Sequence, residues 1–339
     1  MLQVLEKSNG NVALSHINDG ETLYVVFSAR GASPGNYSFF RTFNSLKLNV
    51  LYVNSLSSDW YTKGLPWWGE GDKDTAEGLF NYIDGVIESH SYTNIVFLGS
   101  SMGAFGCLKY VPYFSGKMPF KYIIFGADIY LNNSFSRAQE DRNFINWNNI
   151  ELRLNELDRR KGVFFYGELE LIDSYCAARL NEMGFSVKSH PSAAHNVPFS
   201  LASQSEFVDS FKYILDNFDI PVSGSLHKRI DSHQIKSLME HGDYSYKDAV
   251  KEYPLYALGL NRLGVALHSE GSLIEAEKNL HRSLAVAPDF YNTHLHLAII
   301  SHKLKRKERL MEHYFAMQRI TPLAKDNLRI GKIIESYNV

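Results

Sequence analysis

Up to about residue 220 the chain alternates short apolar runs with longer amphipathic stretches. The runs are Leu23–Phe27, Leu48–Val53, Ile95–Leu98, Tyr122–Phe125, Val163–Tyr166 and Phe185–Lys188. Apolar runs of this length, bounded by turn-forming residues, read as buried strands. Stretches such as Thr75–Ser89 and Ile172–Met183 gather their apolar residues on one helical face. Alternation of the two predicts a mainly parallel sheet covered by helices on both faces. Gln3–Glu6 and Val12–His16, joined across Ser8-Asn9-Gly10-Asn11, read as an antiparallel hairpin ahead of that sheet.

Beyond about residue 220 the strand pattern stops and the period becomes helical throughout. Pro254, Pro288 and Pro322 are spaced by 34 residues. That is the period of the tetratricopeptide repeat, in which each unit is a pair of helices. In the unit closed by Pro288, Leu260, Leu263, Gly264 and Leu267 take first-helix positions, and Ala276, Leu280 and Ser283 take second-helix positions. Leu297-Ala298 and Tyr314 occupy corresponding places in the next unit. The unit ending at Pro254 is degenerate, and 323–339 reads as a capping helix. The segment resembles a short tetratricopeptide array. The expected organisation is therefore an α/β domain over 1–220 and a small all-α helical-repeat domain over 221–339.

Composition narrows the function classes. The chain has 339 residues and a formal net charge of -2, which gives no bulk electrostatic case for nucleic acid or an anionic membrane. No run approaches the ~20 apolar residues of a membrane helix. The start, Met1-Leu2-Gln3-Val4-Leu5-Glu6-Lys7, lacks the basic-then-apolar order of a secretory signal, so a cytoplasmic protein is expected. The two cysteines, Cys107 and Cys176, have no metal-ligand spacing and are expected as buried thiols. No metal or cofactor is expected. His294 and His296 are two apart on a helix, which points them away from each other. Gly99–Gly103 lacks the third glycine and the acidic partner of a dinucleotide fingerprint.

The candidate chemistry centres on Gly99-Ser100-Ser101-Met102-Gly103, between the strand Asn94–Leu98 and a helix that opens at Ala104. Strand, G-x-S-x-G, helix is a nucleophile elbow, with Ser101 as the exposed hydroxyl. A serine nucleophile needs a base, and the base needs an acid to fix its tautomer. Lys161–Gly167 reads as a strand leading into the acidic run Glu168-Leu169-Glu170-Leu171-Ile172-Asp173. His195 lies in the small-residue loop Pro191–Pro198 after a further strand.

Taken together, these motifs resemble the α/β-hydrolase superfamily over residues 1–220. The resemblance implies the order serine, acid, histidine. It makes Ser101 the nucleophile and His195 the base. It selects Glu170, three residues after the glycine that ends its strand, as the acid, with Asp173 and Glu168 as competitors. The oxyanion hole would take the Met102 N–H and one from the loop after the third strand, from Ala29 or Arg30. The implied activity is acyl-ester hydrolysis or acyl transfer through an acyl-Ser101 intermediate, on a small-molecule or glycan ester such as an acylated carbohydrate. The competing class is a non-catalytic hydrolase-fold scaffold that binds a protein partner through its repeats.

Substrate contacts are expected from Arg30 and from Asp59-Trp60-Tyr61-Thr62-Lys63-Gly64-Leu65-Pro66-Trp67-Trp68-Gly69, which follows a strand and carries three of the four tryptophans. Trp60, Trp67 and Trp68 there would stack on a sugar or shield an acyl chain. A strand followed by D-W-Y-x-x-G is also similar to hydrolase-fold proteins of bacterial surface-polysaccharide and adhesin modification. Residues 127–161 leave room for a small lid in which Phe135, Phe144 and Trp147 would cover the serine. The repeats would serve a protein partner or self-association.

Overall fold

The computed structural model describes residues 2–4, 10–56, 59–131, 136–140, 150–190, 193–195, 197–198, 207–219, 250–251, 256–320 and 328–336. They fall into two compact units. One comprises 1–166, 176–188 and 211–221, and the other 167–175, 189–210 and 222–339.

Eight strands form one sheet: β1 Leu2–Val4, β2 Val12–Ser15, β3 Thr22–Phe27, β4 Asn49–Val53, β5 Asn94–Ser100, β6 Lys121–Phe125, β7 Gly162–Gly167 and β8 Ser186–His190. Their order is β1-β2-β4-β3-β5-β6-β7-β8. The first two strands pair antiparallel, with Gln3 opposite Leu14, and β2 runs antiparallel to β4. From β4 through β3, β5, β6 and β7 the strands pair parallel. Each apolar run of the sequence is thus a strand, and β1 pairs with β2 in the antiparallel sense expected of the hairpin, whose residues 5–9 lie outside the described residues.

These strands lack alternation because both faces are covered. Every residue of β4 is buried, as is β6 after its first residue. Neighbours on a strand point to opposite faces, and the aromatics divide accordingly. Tyr122 meets Phe164, which meets Phe185. On the other face Phe125 stacks on Phe165 and on Phe211. Phe211 belongs to a helix, Phe207–Asn217, and also contacts Phe39 and Phe43.

Among the described residues the helices preceding it are α1 Phe40–Ser45, α2 Gly71–His90, α3 Met102–Tyr110, α4 Glu151–Leu154 and α5 Leu171–Glu182, so Phe207–Asn217 is α6. Asp72 and Asp74 lie in the first turn of α2 and His90 in its last, which suits the helix dipole. Ser91 in the left-handed conformation (φ 57°) ends it.

Among the described residues there follow α7 Ala257–Ser269, α8 Leu273–Val286, α9 Tyr291–Lys303, α10 Lys307–Ile320 and α11 Leu328–Glu335. The starts of α7 and α9 differ by 34 residues (291 − 257), as do those of α8 and α10 (307 − 273). Gly264 packs against Leu280 and the Ala276 carbonyl. Ala276, Leu280, Leu297 and Ile300 form one apolar cluster, and Ala298, Leu310, Met317 and Ile330 the next. Pro254 and Pro322 lie outside the described residues.

Two histidines are buried between α9 and α10. His294 Nε2 lies 2.8 Å from the Pro288 carbonyl. A carbonyl only accepts, so Nε2 carries the proton and Nδ1 the lone pair. His313 Nδ1 must then donate to His294 Nδ1, 3.1 Å away. The remaining His313 nitrogen, Nε2, is buried with no hydrogen-bond partner among the described residues. Burial first, and then His294, push the His313 pKa down to about 4. Nearby His281 and Arg309 act in the same sense, and Glu312 opposes them.

Because the folded value lies below the ordinary one, the unfolded chain takes the proton first. The stability is complete above about pH 6.5 and is lost as pH falls toward 4, by up to about 3 kcal/mol. We expect urea unfolding followed by far-UV circular dichroism to show this decline in wild type. It should be shallower in His313→Gln, whose amide still donates to His294. Equal declines would contradict the assignment.

Candidate active site

The elbow is built by contacts too close for a side chain. A Cβ on Gly99 would lie 2.3 Å from the Gly103 carbonyl oxygen, and one on Gly103 would lie 2.1 Å from that of Phe27. The close approach lets α3 start directly above β3 and β5. Between the glycines Ser101 takes φ 55° and ψ −122°, a conformation that costs a non-glycine residue about 1–3 kcal/mol. Its N–H donates to the Phe125 carbonyl (2.9 Å), and its carbonyl accepts from Phe105 N–H (3.2 Å). These two bonds hold the residue in the strained state. Ser101 is half-buried while Ser100 is buried at the end of β5. Gly103→Ala is expected to lower thermal stability by about 1–3 kcal/mol through the clash with β3, and unchanged melting would argue against that packing.

Met102 is the first residue of α3. Its N–H is therefore one of the amides that a helix leaves without an intrahelical acceptor. The Ala29 amide is directed elsewhere: it donates to Ser38 Oγ at 2.8 Å, and Ser38 N–H donates to Ser28 Oγ at 3.1 Å. These bonds close the 28–38 loop on itself. The expectation that Ala29 supplies an oxyanion donor therefore does not match its geometry, because a small hydroxyl nine residues on takes the amide. Arg30, the other candidate donor, is exposed.

The second group of residues lies in the segments following β7 and β8. His195 Nδ1 is 3.1 and 3.2 Å from the two carboxylate oxygens of Asp173. Asp173 is fully buried and sits in the first turn of α5, where the helix dipole favours a carboxylate. An ionised carboxylate only accepts, so Nδ1 donates and the lone pair of neutral His195 is on Nε2. That Nε2 is buried and has no hydrogen-bond partner among the described residues. A histidine oriented in this way can take a proton at Nε2 while the acid stabilises the resulting imidazolium.

The structure thus differs from the sequence-level selection of Glu170. Three carboxylates within six residues go to three different partners. Glu168 accepts from Ser189 Oγ at 2.7 Å. Glu170 accepts from the Tyr256 hydroxyl at 3.0 Å and lies 3.4 Å from an Arg262 Nη2. Only Asp173 is placed on His195 by these contacts. The register differs because α5 begins at Leu171, so Asp173 is on the turn that faces the histidine loop. Backbone bonds from Glu168 N–H to His190 and from Leu169 N–H to Ala193 tie the two loops together (3.1 and 3.0 Å).

The tryptophan loop is corrected in part. Trp60 is wholly buried, edge-on to Phe105, so it is a core ring and offers no face to a substrate. Its neighbour Tyr61 is buried as well, and its hydroxyl lies 3.0 and 2.9 Å from the carbonyls of Ser28 and Val53. The loop is pinned by Lys109, whose ammonium reaches the Tyr61 carbonyl at 2.5 Å and Asp72 at 2.6 Å. Arg153 shares Asp72 at 3.2 Å. Burial lowers the Lys109 pKa, and Asp72 opposes that shift. No sequence signal singles out this lysine. Trp67 and Trp68 are half-buried, edge to face with each other, and Trp68 also meets Tyr82 of α2.

Asp128, just after β6, is fully buried and accepts from Ser136 Oγ and Arg137 N–H (both 3.0 Å) and from the Arg137 guanidinium (2.6 Å). Phe135, Phe144 and Trp147 lie outside the described residues. Cys107 and Cys176 are buried. Among the described residues no set of three His, Cys, Asp or Glu side chains could hold a metal ion, and no helix is long and apolar enough to cross a membrane.

A sheet of order β1-β2-β4-β3-β5-β6-β7-β8, with β2 antiparallel and a strained serine where β5 turns into α3, decides the architecture. The fold is that of an α/β-hydrolase. No protein-family model and no curated protein matches the sequence. Among solved structures the chain is similar to an esterase of Pyrococcus furiosus, at 14% identity over 60% of this chain and 84% of that one, with a TM-score of 0.41. It is similar to the capsule O-acetyltransferase of Neisseria meningitidis serogroup A, at 15% identity over 61% and 92%, TM-score 0.41. It is also similar to a putative esterase from Staphylococcus aureus, at 15% identity over 66% and 84%, TM-score 0.39.

Proposed function

We propose that the chain is a serine acyl-ester hydrolase or acyltransferase that works through an acyl-Ser101 intermediate. The observation that carries this reading is the backbone of Ser101, held at φ 55° between two glycines that admit no side chain. Such strain persists only where the surroundings over-determine it, and it presents the hydroxyl in the open. In this reading His195 takes the Ser101 proton at Nε2, and Asp173 fixes its tautomer. Ser101 Oγ adds to the ester carbonyl, and the oxyanion draws on the Met102 N–H at the positive end of α3. The alkoxide leaves with the proton from His195. Water, or a sugar or protein hydroxyl, then gives up its proton to His195 and takes the acyl group, and His195 returns that proton to Ser101 Oγ as it leaves.

The acceptor separates hydrolysis from transfer, and an acylated carbohydrate is the substrate class we favour. Trp67 and Trp68 are the rings that support it. We also read α7–α10 as a tetratricopeptide-like pair of units within a helical domain over 221–339, serving a protein partner or a second copy of the chain. The test of the catalytic reading is labelling by a fluorophosphonate. Peptide mapping should place one adduct on Ser101, and an enzyme that remains unlabelled, or is labelled elsewhere, would contradict it.

A further inference from the structure

Glu170, set aside as the partner of His195, is 5% exposed, and its carboxylate reaches the helical segment. Its two carboxylate oxygens meet the Tyr256 hydroxyl and the Arg262 guanidinium, 86 and 92 residues further along the chain. Its backbone carbonyl accepts the Ser174 N–H at 3.0 Å, so Glu170 also fixes where α5 begins. Asp173 is the third residue of that helix, and a helix turns as a body. Whatever holds Glu170 therefore sets the direction of the Asp173 carboxylate.

Tyr256 is itself held. It precedes α7 directly and is 3% exposed. Ser283 Oγ donates to the Ala257 carbonyl at 2.7 Å and lies 3.1 Å from Thr293 Oγ1, which accepts from Asn261 at 3.0 Å. This buried network joins the start of α7 to α8 and α9. Buried, hydrogen-bonded groups of this kind rigidify what they join.

We propose that Glu170, Tyr256 and Arg262 form a positioning clamp through which the C-terminal helices hold Asp173 against His195. The proposal rests on the catalytic reading above and assigns the helices a part in it. The clamp is a partial constraint, since the backbone bond from Leu169 to Ala193 stays when it is cut. Loss of the clamp should therefore cost less than loss of Asp173.

The test uses the full chain carrying Tyr256→Phe with Arg262→Gln. A proton on His195 Nδ1 bonded to a carboxylate gives a low-field NMR resonance, and His195→Gln and Asp173→Asn identify it by removing it. In the clamp variant we expect the resonance to move upfield or broaden. We also expect kcat on 4-nitrophenyl acetate to fall about tenfold with KM changed less than about twofold. Arg262→Lys with Tyr256 kept should recover most of the loss. Tyr256→Phe alone is the arm to read if the double variant unfolds. Wild-type resonance and wild-type kcat in these variants would overturn the clamp while leaving the Asp173–His195 pair intact. A resonance insensitive to Asp173→Asn would instead remove the pair itself, and the clamp with it.

Discussion

Ser101→Ala is expected to abolish turnover of small acyl esters and to leave the fold unchanged. Removing a triad nucleophile costs about three to six orders of magnitude in kcat. The alanine keeps the Cβ that the elbow already accommodates, so the backbone bonds of residue 101 to Phe125 and Phe105 survive. Ser100→Ala is the matched control. Ser100 is buried within β5, paired in register with Phe125, and its loss should change kcat less than about tenfold. Steady-state rates on 4-nitrophenyl acetate, with melting curves for both variants, decide the matter. Equal rates for wild type and Ser101→Ala on every ester tried would end the serine mechanism.

The second large effect distinguishes the carboxylates. Asp173→Asn should lower kcat by about three to four orders of magnitude, because an amide can hold the wrong imidazole tautomer, with the proton on Nε2. Glu170→Gln should cost less than about tenfold, since its carbonyl still accepts from Tyr256 while the charge facing Arg262 is lost. KM should change little in either. The reverse ranking, with Glu170→Gln the severe variant, would restore Glu170 as the acid and contradict the geometry at His195.

The legible parts of this protein are those where local physics decides. A strand buried on both faces must be apolar along its length, so β3 to β7 can be read as runs. A turn with no room for Cβ must use glycine, so Gly99 and Gly103 announce the elbow. A 34-residue spacing of prolines follows from stacking equal helix pairs, and the starts of α7 to α10 repeat with the same spacing.

The illegible parts turn on partners distant in the chain. Glu168, Glu170 and Asp173 are close neighbours with the same chemistry, and each meets a different residue: Ser189, Tyr256 or His195. Nothing local ranks them. Trp60 reads as a ring that would contact substrate, yet Phe105 and the surrounding core bury it completely. Nothing in the sequence marks Lys109, yet it is inside, bonded to Tyr61 and Asp72. By itself the sequence determined the strand set, the elbow and the helical period, since each follows from burial or sterics within a few residues. Only the tertiary structure decided which acid meets His195, which acceptor the Ala29 amide engages and which tryptophans face inward, because those depend on hydrogen bonds and packing beyond the local sequence.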